Sequence, residues 1–397
     1  MTEPSPSLPI VKLRPGKGRR LHTGAPWVFA DEIAMDRRTR KLAPGTVVSL
    51  YDGVEDLGLA AFNPESQISA RLLDPDSSAS VDTDWFAARL KQALALRETL
   101  FSAPFYRLVH AEADGLPGTV IDRFGDSIVI QPNAAWVDMR LDALVDAVAQ
   151  VTGCRNIVIN ATSRIRKVEG LDERMDVVRG QVDGPVDVPM NDAVYLADLA
   201  GGQKTGLFYD QRPNHAFAQR LARDARVLDV FCHVGGFGLA ALSAGAREVL
   251  AVDSSTPALD LASQGAEKMG VSDRFKVQKS DAFDALAALE GETFDVVVCD
   301  PPAFAPNKGA LDAGLRAYQR LARMASGLVR PGGFLVLCSC SHAVGVEAFH
   351  KANVHGIARA GRTAALIHSG RAGPDHPVHL WLPESSYLKA LFYRVQR

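Results

Sequence analysis

From Val188 onward the apolar residues come in short, nearly unbroken runs: RVLDVF, EVLAVD, FKVQKSD, FDVVVCD and GFLVLCSCS. Between them lie stretches with helical spacing: AFAQRLARD, FGLAALSAG, PALDLASQGAEKMG, FDALAALEG and LRAYQRLARMASGLV. Strand-length runs that are apolar on both faces, alternating with helices, predict a doubly wound parallel sheet, an α/β domain over 188–397. The chain ahead of it is patterned differently. Runs such as GTVVSLYD and SQISARLLD are short and broken by Gly, Pro and Asp, which predicts a small all-β barrel over 9–80. The stretch DTDWFAARLKQALALRETL predicts an amphipathic helix capped by Asp82 or Thr83, with Trp85, Phe86, Leu90, Leu94 and Leu96 as its apolar stripe. After it, YRLVHAEADGLPGTVIDRFGDSIVIQ reads as strand, turn, strand, turn, strand, followed by a helix (VDMRLDALVDAVAQV) and a strand (NIVINA). Helix linker and small α+β unit together make a middle domain over 81–187.

Composition narrows the class. A chain of 397 residues can bury two or three cores, and 47% hydrophobic with 23% charged residues is ordinary for a globular protein. The net charge of −2 hides an asymmetry: Val11 to Lys41 carries nine basic residues against three acidic ones, a local net of +6. The polar, Pro-rich start MTEPSPSLP has no apolar signal region, and no apolar run reaches membrane-spanning length. Five irregularly spaced cysteines (Cys154, Cys232, Cys299, Cys338, Cys340) suit a reduced, cytoplasmic protein rather than a disulfide framework.

The chemistry gathers where the C-terminal runs end. The first delivers Asp229-Val-Phe231-Cys-His-Val-Gly235-Gly236-Phe-Gly238, a glycine-bearing turn that lets backbone approach a ligand. The second ends in Asp253-Ser254, the third in Asp281-Ala282, and the fourth in Asp300-Pro301-Pro302-Ala303-Phe304. A single Asp at a strand end is more often a helix cap than a ligand. Four in succession fit S-adenosylmethionine: Asp229 near the methionine ammonium, Asp253 on the ribose hydroxyls, Asp281 on the adenine amine. Carboxylates in such numbers would be costly around a pyrophosphate, which argues against a dinucleotide-dependent dehydrogenase. The two prolines stiffen the chain after the fourth strand and expose carbonyls to a planar, amino-bearing base, on which Phe304 can stack.

In a period-2 strand Val336, Cys338 and Cys340 share a face. Cys338 lies within the apolar run and reads as core, whereas Cys340 lies at the strand mouth. A metal clamp lacks further ligands at recognisable spacing, and a Cys338–Cys340 disulfide has unfavourable geometry. A nucleophilic thiolate needs neither. Carbon 5 of a pyrimidine is too weak a nucleophile to take a methyl group until a thiolate adds to carbon 6. Cys340 with Asp300 therefore points to carbon methylation of a cytosine or uracil, with Asp300 holding or protonating N3.

These motifs resemble the bacterial ribosomal RNA large subunit methyltransferase I family along nearly the whole chain. Gly24-Ala-Pro-Trp-Val-Phe29 is similar to its N-terminal PUA domain, and Asp114-Gly-Leu-Pro-Gly118 with Ile121-Asp-Arg-Phe-Gly125 to its middle domain. Lys204-Thr-Gly-Leu-Phe-Tyr-Asp-Gln-Arg212, Asp300-Pro-Pro-Ala-Phe304, Ser339-Cys340-Ser341, Asp375-His376-Pro377 and Tyr387-Leu-Lys389 follow in the family's order. The resemblance implies a class I Rossmann-like methyltransferase domain, S-adenosylmethionine as cofactor, cytosine-C5 methylation of 23S ribosomal RNA, and Cys340 as catalytic thiol. The implied cofactor contacts are Asp229, Phe231, Gly235, Gly236, Asp253, Ser254, Asp281, Ala282 and Asp300. Pro301, Pro302 and Phe304 would face the base, while Lys12, Arg14, Lys17, Arg19 and Arg20 would hold RNA phosphates. Many related enzymes carry a second cysteine after the motif proline; here that position is Ala303. Two other readings stay open: a base-nitrogen methyltransferase in which Cys340 is a bystander, and a non-catalytic RNA-binding protein. Ribosomal RNA or a large-subunit precursor is the expected partner, with no metal and no membrane, and a homodimer is one assembly open to the chain.

Overall fold

The computed structural model describes residues 8–201 and 206–397. Lys204 and Thr205, which open one of the family-like segments, lie outside the described residues. The described residues form two compact units, one from 8–184, 199–201 and 375–383, the other from 185–198, 206–374 and 384–397.

The first unit opens with β1 (Ile10–Lys12), β2 (Trp27–Phe29), β3 (Thr46–Asp52), β4 (Glu55–Phe62) and β5 (Ile68–Asp74), arranged β1-β3-β4-β5-β2. Period-2 alternation sorts its side chains. Val48, Leu50, Ala60 and Phe62 join Val11, Val28 and Ile33 in one core. Their neighbours Val47, Leu59, Ala61 and Leu73 pack in a second core with Trp85, Phe86 and Leu90 of the helix Thr83–Leu100. The regions expected as separate domains over 9–80 and 81–187 thus share apolar packing. Asp82 caps the helix, accepting from the Trp85 amide at 3.0 Å. Its buried stripe is Phe86, Leu90, Ala93 and Arg97, the i, i+4, i+7 spacing of one helical face, so the expected Leu96 falls off it and is 41% exposed. Arg97 is fully buried and tolerates it by a two-pronged bond to Asp114 at 2.6 and 2.7 Å. Strands β6 (Phe105–His110), β7 (Thr119–Phe124), β8 (Ser127–Pro132), β9 (Asn156–Ala161) and β10 (Arg174–Arg179) form a second sheet in the order β10-β9-β8-β7-β6.

The second unit begins with a hairpin, β11 (Val186–Met190) and β12 (Ala193–Ala197). Its main sheet has seven strands: β13 (Arg226–Val230), β14 (Glu248–Asp253), β15 (Phe275–Lys279), β16 (Phe294–Cys299), β17 (Val329–Ser339), β18 (Ala364–Gly370) and β19 (Lys389–Val395). Their order is β15-β14-β13-β16-β17-β19-β18. The expected parallel sheet is corrected in one respect: β19 runs antiparallel to both neighbours. It inserts between β17 and β18, and its side chains are buried at six of seven positions. β15 is an edge strand, and Lys276 and Lys279 on it are exposed, as an edge requires. The strand order reverses between β13 and β16, which makes their carboxyl ends the crevice of the sheet.

Candidate active site

The turn after β13 is strained. Phe231 and His233 have φ of 64° and 51°, and Gly235 has 84°. Left-handed backbone in two non-glycine residues costs of order 1–3 kcal/mol each and is held only where surroundings fix it. Here the His233 amide donates to Asp253 Oδ2 at 2.9 Å, and the Asp253 carboxylate also accepts from the Ser255 amide at 2.9 Å. The loop is therefore tied across the ends of β13 and β14. Gly236, which opens the helix Gly236–Ser243, lies so close to His215 that a Cβ would sit 2.9 Å from its Nε2.

Asp229 is fully buried and accepts from the Gly238 amide at 2.8 Å. Burial raises its pKa to about 7; the Gly238 bond opposes the rise and the Asp253 charge adds to it. Its other oxygen, Oδ1, is buried without a partner. Asp253 is half-buried and Ser254 exposed. Asp281 is exposed and caps the helix Ala282–Ala288, accepting from the amides of Phe283 (2.8 Å) and Asp284 (3.3 Å). Of the four strand-end aspartates, this one does what a strand-end Asp ordinarily does. Ala282 is buried beneath it.

Across the crevice, Asp300 is half-buried, and its amide donates to the Val230 carbonyl at 3.2 Å, joining the ends of β16 and β13. Pro301 is buried, Pro302 exposed. Phe304 is half-buried and lies against Tyr318 (ring centroids 4.9 Å apart), Phe283 (6.2 Å) and Phe231 (6.4 Å). Much of its ring is therefore committed to protein. Cys340 follows β17 directly, with its Sγ 4.0 Å from the Pro301 carbonyl oxygen. It is the one half-buried cysteine; Cys154, Cys232, Cys299 and Cys338 are buried. Desolvation pushes the thiols of Cys232, Cys299 and Cys338 far up, so all three are held as neutral packing groups.

Tyr318, which sequence reasoning did not single out, joins the two serines that flank Cys340 in holding this end of the site. The Tyr318 hydroxyl lies 2.8 Å from Ser341 Oγ and accepts from Ser339 Oγ at 2.9 Å. Ser341 Oγ accepts from the Ala305 amide at 3.1 Å, so both serines of Ser339-Cys340-Ser341 fasten the proline loop to the cysteine strand. Lys389, at the start of β19, pairs with Ser339 across the ladder. The family-like segment ending at Arg212 continues into a polar run before β13: Asp210 and Gln211 within it, and Asn214 and His215 beyond it, which sequence reasoning did not name, are all buried. Their signal was available as DQRPNH, six polar or Pro residues ahead of an apolar strand.

A profile of S-adenosylmethionine-dependent methyltransferases matches residues 140–394, and one of PUA-like domains matches 11–75. Ribosomal RNA large subunit methyltransferase I of Tolumonas auensis is 37% identical over 394 residues, spanning 97% of this chain and 98% of that protein. The protein of the same name from Shewanella denitrificans is also 37% identical over 394 residues, covering 97% and 99%. The chain belongs to the ribosomal RNA large subunit methyltransferase I family. A solved structure from Streptococcus mutans superposes with a TM-score of 0.81 at 20% identity, covering 98% of this chain and 100% of that one, and shows the shared fold.

The cofactor of the family is S-adenosylmethionine, and the crevice fits it. The unpartnered Asp229 Oδ1 is a buried acceptor suited to an ammonium, and Asp253 is an acceptor already oriented by two amides. Among the described residues no cluster of three or more His, Cys, Asp or Glu could hold a metal ion, and no helix is long and apolar enough to cross a membrane. The basic cluster divides. Lys12, Arg14, Lys17 and Arg19 are exposed. Arg14 also donates to the Ile33 carbonyl at 3.1 Å. Arg20 departs from the expected phosphate-binding role: its guanidinium donates to Glu32 and to the Trp27 carbonyl (2.8 Å) and lies over the Phe29 ring, so it braces its own fold.

Proposed function

We propose that the protein methylates carbon 5 of a cytosine in 23S ribosomal RNA through a Cys340 thiolate. The observation that carries this reading is the placement of Cys340: the single half-buried cysteine, at the end of β17, against the Pro301 carbonyl that follows Asp300. The ribosomal substrate rests on the named relatives and on the PUA-like region. S-adenosylmethionine, when bound, supplies an electrophilic methyl group on a sulfonium.

The chain's own groups do the rest. Asp229 and Asp253 receive the ammonium and ribose ends of the cofactor, Asp281 keeps an exposed carboxylate near the adenine, and Phe231, Ser254, Ala282 and the Gly235-Gly236 backbone shape the slot. The Cys340 thiolate adds to carbon 6 while Asp300 holds or supplies a proton at N3. Carbon 5, now enamine-like, takes the methyl group. Loss of the carbon 5 proton to a base, return of the N3 proton to Asp300 and departure of the thiolate restore the ring and the enzyme. Pro301, Pro302 and Phe304 border the base. Lys12, Arg14, Lys17 and Arg19 capture backbone phosphates. A thiol that must stay reduced suits a cytoplasmic enzyme.

Cys340→Ala is the test. Nucleoside analysis of large-subunit RNA incubated with labelled cofactor is expected to yield 5-methylcytidine with the wild type and none with the variant. Product surviving in Cys340→Ala, or a methyl group on a base nitrogen, would replace this reading with nitrogen methylation.

A further inference from the structure

The connection between β18 and β19 leaves an aromatic tip in the open. Residues 375–383 belong to the first unit, although the chain on either side of them belongs to the second. They begin with a buried anchor. The Asp375 carbonyl accepts from Arg97 Nη2 at 2.8 Å, and its carboxylate accepts from the Arg107 amide at 3.0 Å and lies 3.0 Å from His376 Nδ1. Asp375 and His376 are buried, and so is Leu382. Between them the chain closes a turn, with the Leu382 amide donating to the His379 carbonyl at 2.9 Å. The two central residues of that turn, Leu380 and Trp381, are 95% and 46% exposed.

Trp381 is exposed but not loose. Its amide donates to His379 Nδ1 at 3.2 Å, and its indole N–H donates to the Thr23 carbonyl at 2.5 Å. Gly24, with φ of 100°, lies against the same edge of the ring; a Cβ there would sit 3.4 Å from Nε1. Thr23 and Gly24 are part of a compact loop on the barrel, in which the Leu21 amide donates to the Gly18 carbonyl at 2.9 Å and the Ala25 amide to the Arg20 carbonyl at 3.1 Å. Exposed Arg19 lies within that loop, and exposed Lys17 immediately precedes it. A fixed, half-exposed indole is thus seated on the loop that bears the cations.

We infer that Trp381 is a stacking platform for an unpaired base of the RNA substrate, with Lys17 and Arg19 holding phosphates of the same strand. This rests on the RNA reading given above and is independent of the chemistry at Cys340. Single-stranded nucleic acid is held by this combination of ring and cations, because every base has a π-face and every nucleotide a phosphate. The core of a protein-docking patch is instead depleted of lysine. The indole N–H is committed to Thr23, so the ring offers a face rather than a hydrogen bond, and the platform accepts any base. Holding the ring in place beforehand removes the side-chain ordering that binding would otherwise cost.

The test is the affinity of the full-length protein for two end-labelled strands of equal length, a short oligocytidylate and an abasic ribose-phosphate oligomer, read by fluorescence anisotropy. Trp381→Ala is expected to weaken binding of the oligocytidylate about tenfold and to leave the abasic strand unaffected. Trp381→Phe should keep most of the wild-type affinity, since a smaller ring still stacks, and the salt slope should stay at the wild-type value in both variants. Equal losses on the two strands, or no loss on either, overturn the proposal. Indole fluorescence reads the stack without the alanine variant: the oligocytidylate should quench the wild type more than Trp381→Phe, and identical quenching also overturns it. A wild type that binds neither strand would instead remove the RNA reading itself, whatever the state of Trp381.

Discussion

The Tyr318 hydroxyl lies 2.8 Å from Ser341 Oγ, and through that contact a helix residue couples the proline loop to the cysteine strand. Ser339 Oγ donates to the same phenol, and the Phe304 amide points at it from 3.4 Å. All three hydroxyls are buried, so removing one leaves others unsatisfied. Tyr318→Phe is expected to cost about 1–3 kcal/mol of stability and to lower kcat with little change in cofactor Kd. Chemical denaturation and single-turnover assays check it; wild-type values in both would reduce the network to packing.

Asp229 links protonation to both stability and cofactor binding. Its folded pKa, about 7, is raised above the ordinary carboxylate value of 3.8, so the neutral form is the one the fold favours. The contribution is fully present below about pH 4 and is lost as pH rises through 7. Without cofactor the protein should therefore lose up to roughly 4 kcal/mol across that window, and Asp229→Asn should flatten the loss. Cofactor binding should strengthen over the same window, because the ionised form is the one that pairs with an ammonium. Thermal melts against pH, with and without S-adenosylmethionine, give both curves. A melting temperature independent of pH between 5 and 8 would place the carboxylate in a different state.

Asp253→Ala should weaken S-adenosylmethionine chiefly through lost ribose contacts, at roughly 1.5–3 kcal/mol for each bond to the charged acceptor. It also releases the His233 amide and so loosens the strained turn. Calorimetry showing unchanged affinity would exclude Asp253 from the cofactor site.

On the barrel, exposed and committed cations should behave differently. Replacing Lys12, Lys17 and Arg19 together is expected to lower the salt slope of RNA binding by about two units, at roughly 0.7 for each single-strand phosphate contact. Arg20→Ala should instead lower stability, because it releases Glu32 and the Trp27 carbonyl. Filter binding against salt and a melting curve separate them; an unchanged slope in the triple variant would remove the barrel from the RNA footprint.

Much of the fold was legible because its signals are local. The runs ending at Asp229, Asp253, Asp300 and Cys340 became β13, β14, β16 and β17, and the Asp82 cap began its helix. The reversal of β19 was not legible: KALFYRV is apolar in either direction, and only its partners fix its sense. Asp281 shows the ambiguity of a single residue, since cap and ligand use the same side chain at the same strand end. Arg20 reads as a phosphate ligand and Lys389 as one letter of a family-like motif until the fold brings Glu32 to the first and the Ser341 and Val344 carbonyls to the second. The Ser339 and Ser341 hydroxyls gain meaning only once Tyr318 faces them.

Buried Cys338 offers a contrast for Cys340. Cys338→Ser should destabilise by about 1–3 kcal/mol, since a hydroxyl would enter an apolar site, and should leave the folded enzyme active. Cys340→Ser should fold normally, bind cofactor within a few-fold of wild type and fail to transfer a methyl group. Loss of activity in folded Cys338→Ser would mean that the two thiols had been assigned the wrong way round.

The central claim is a covalent bond between Cys340 and carbon 6 of a cytosine. Large-subunit RNA carrying 5-fluorocytidine tests it directly, because after methyl transfer carbon 5 holds no proton to remove and the thiol cannot leave. Mixed with enzyme and S-adenosylmethionine, it should give a denaturation-resistant protein–RNA complex. Digestion should then yield one peptide bearing the methylated fluorocytidine on Cys340. No complex, or a complex of equal yield in Cys340→Ser, would contradict the account.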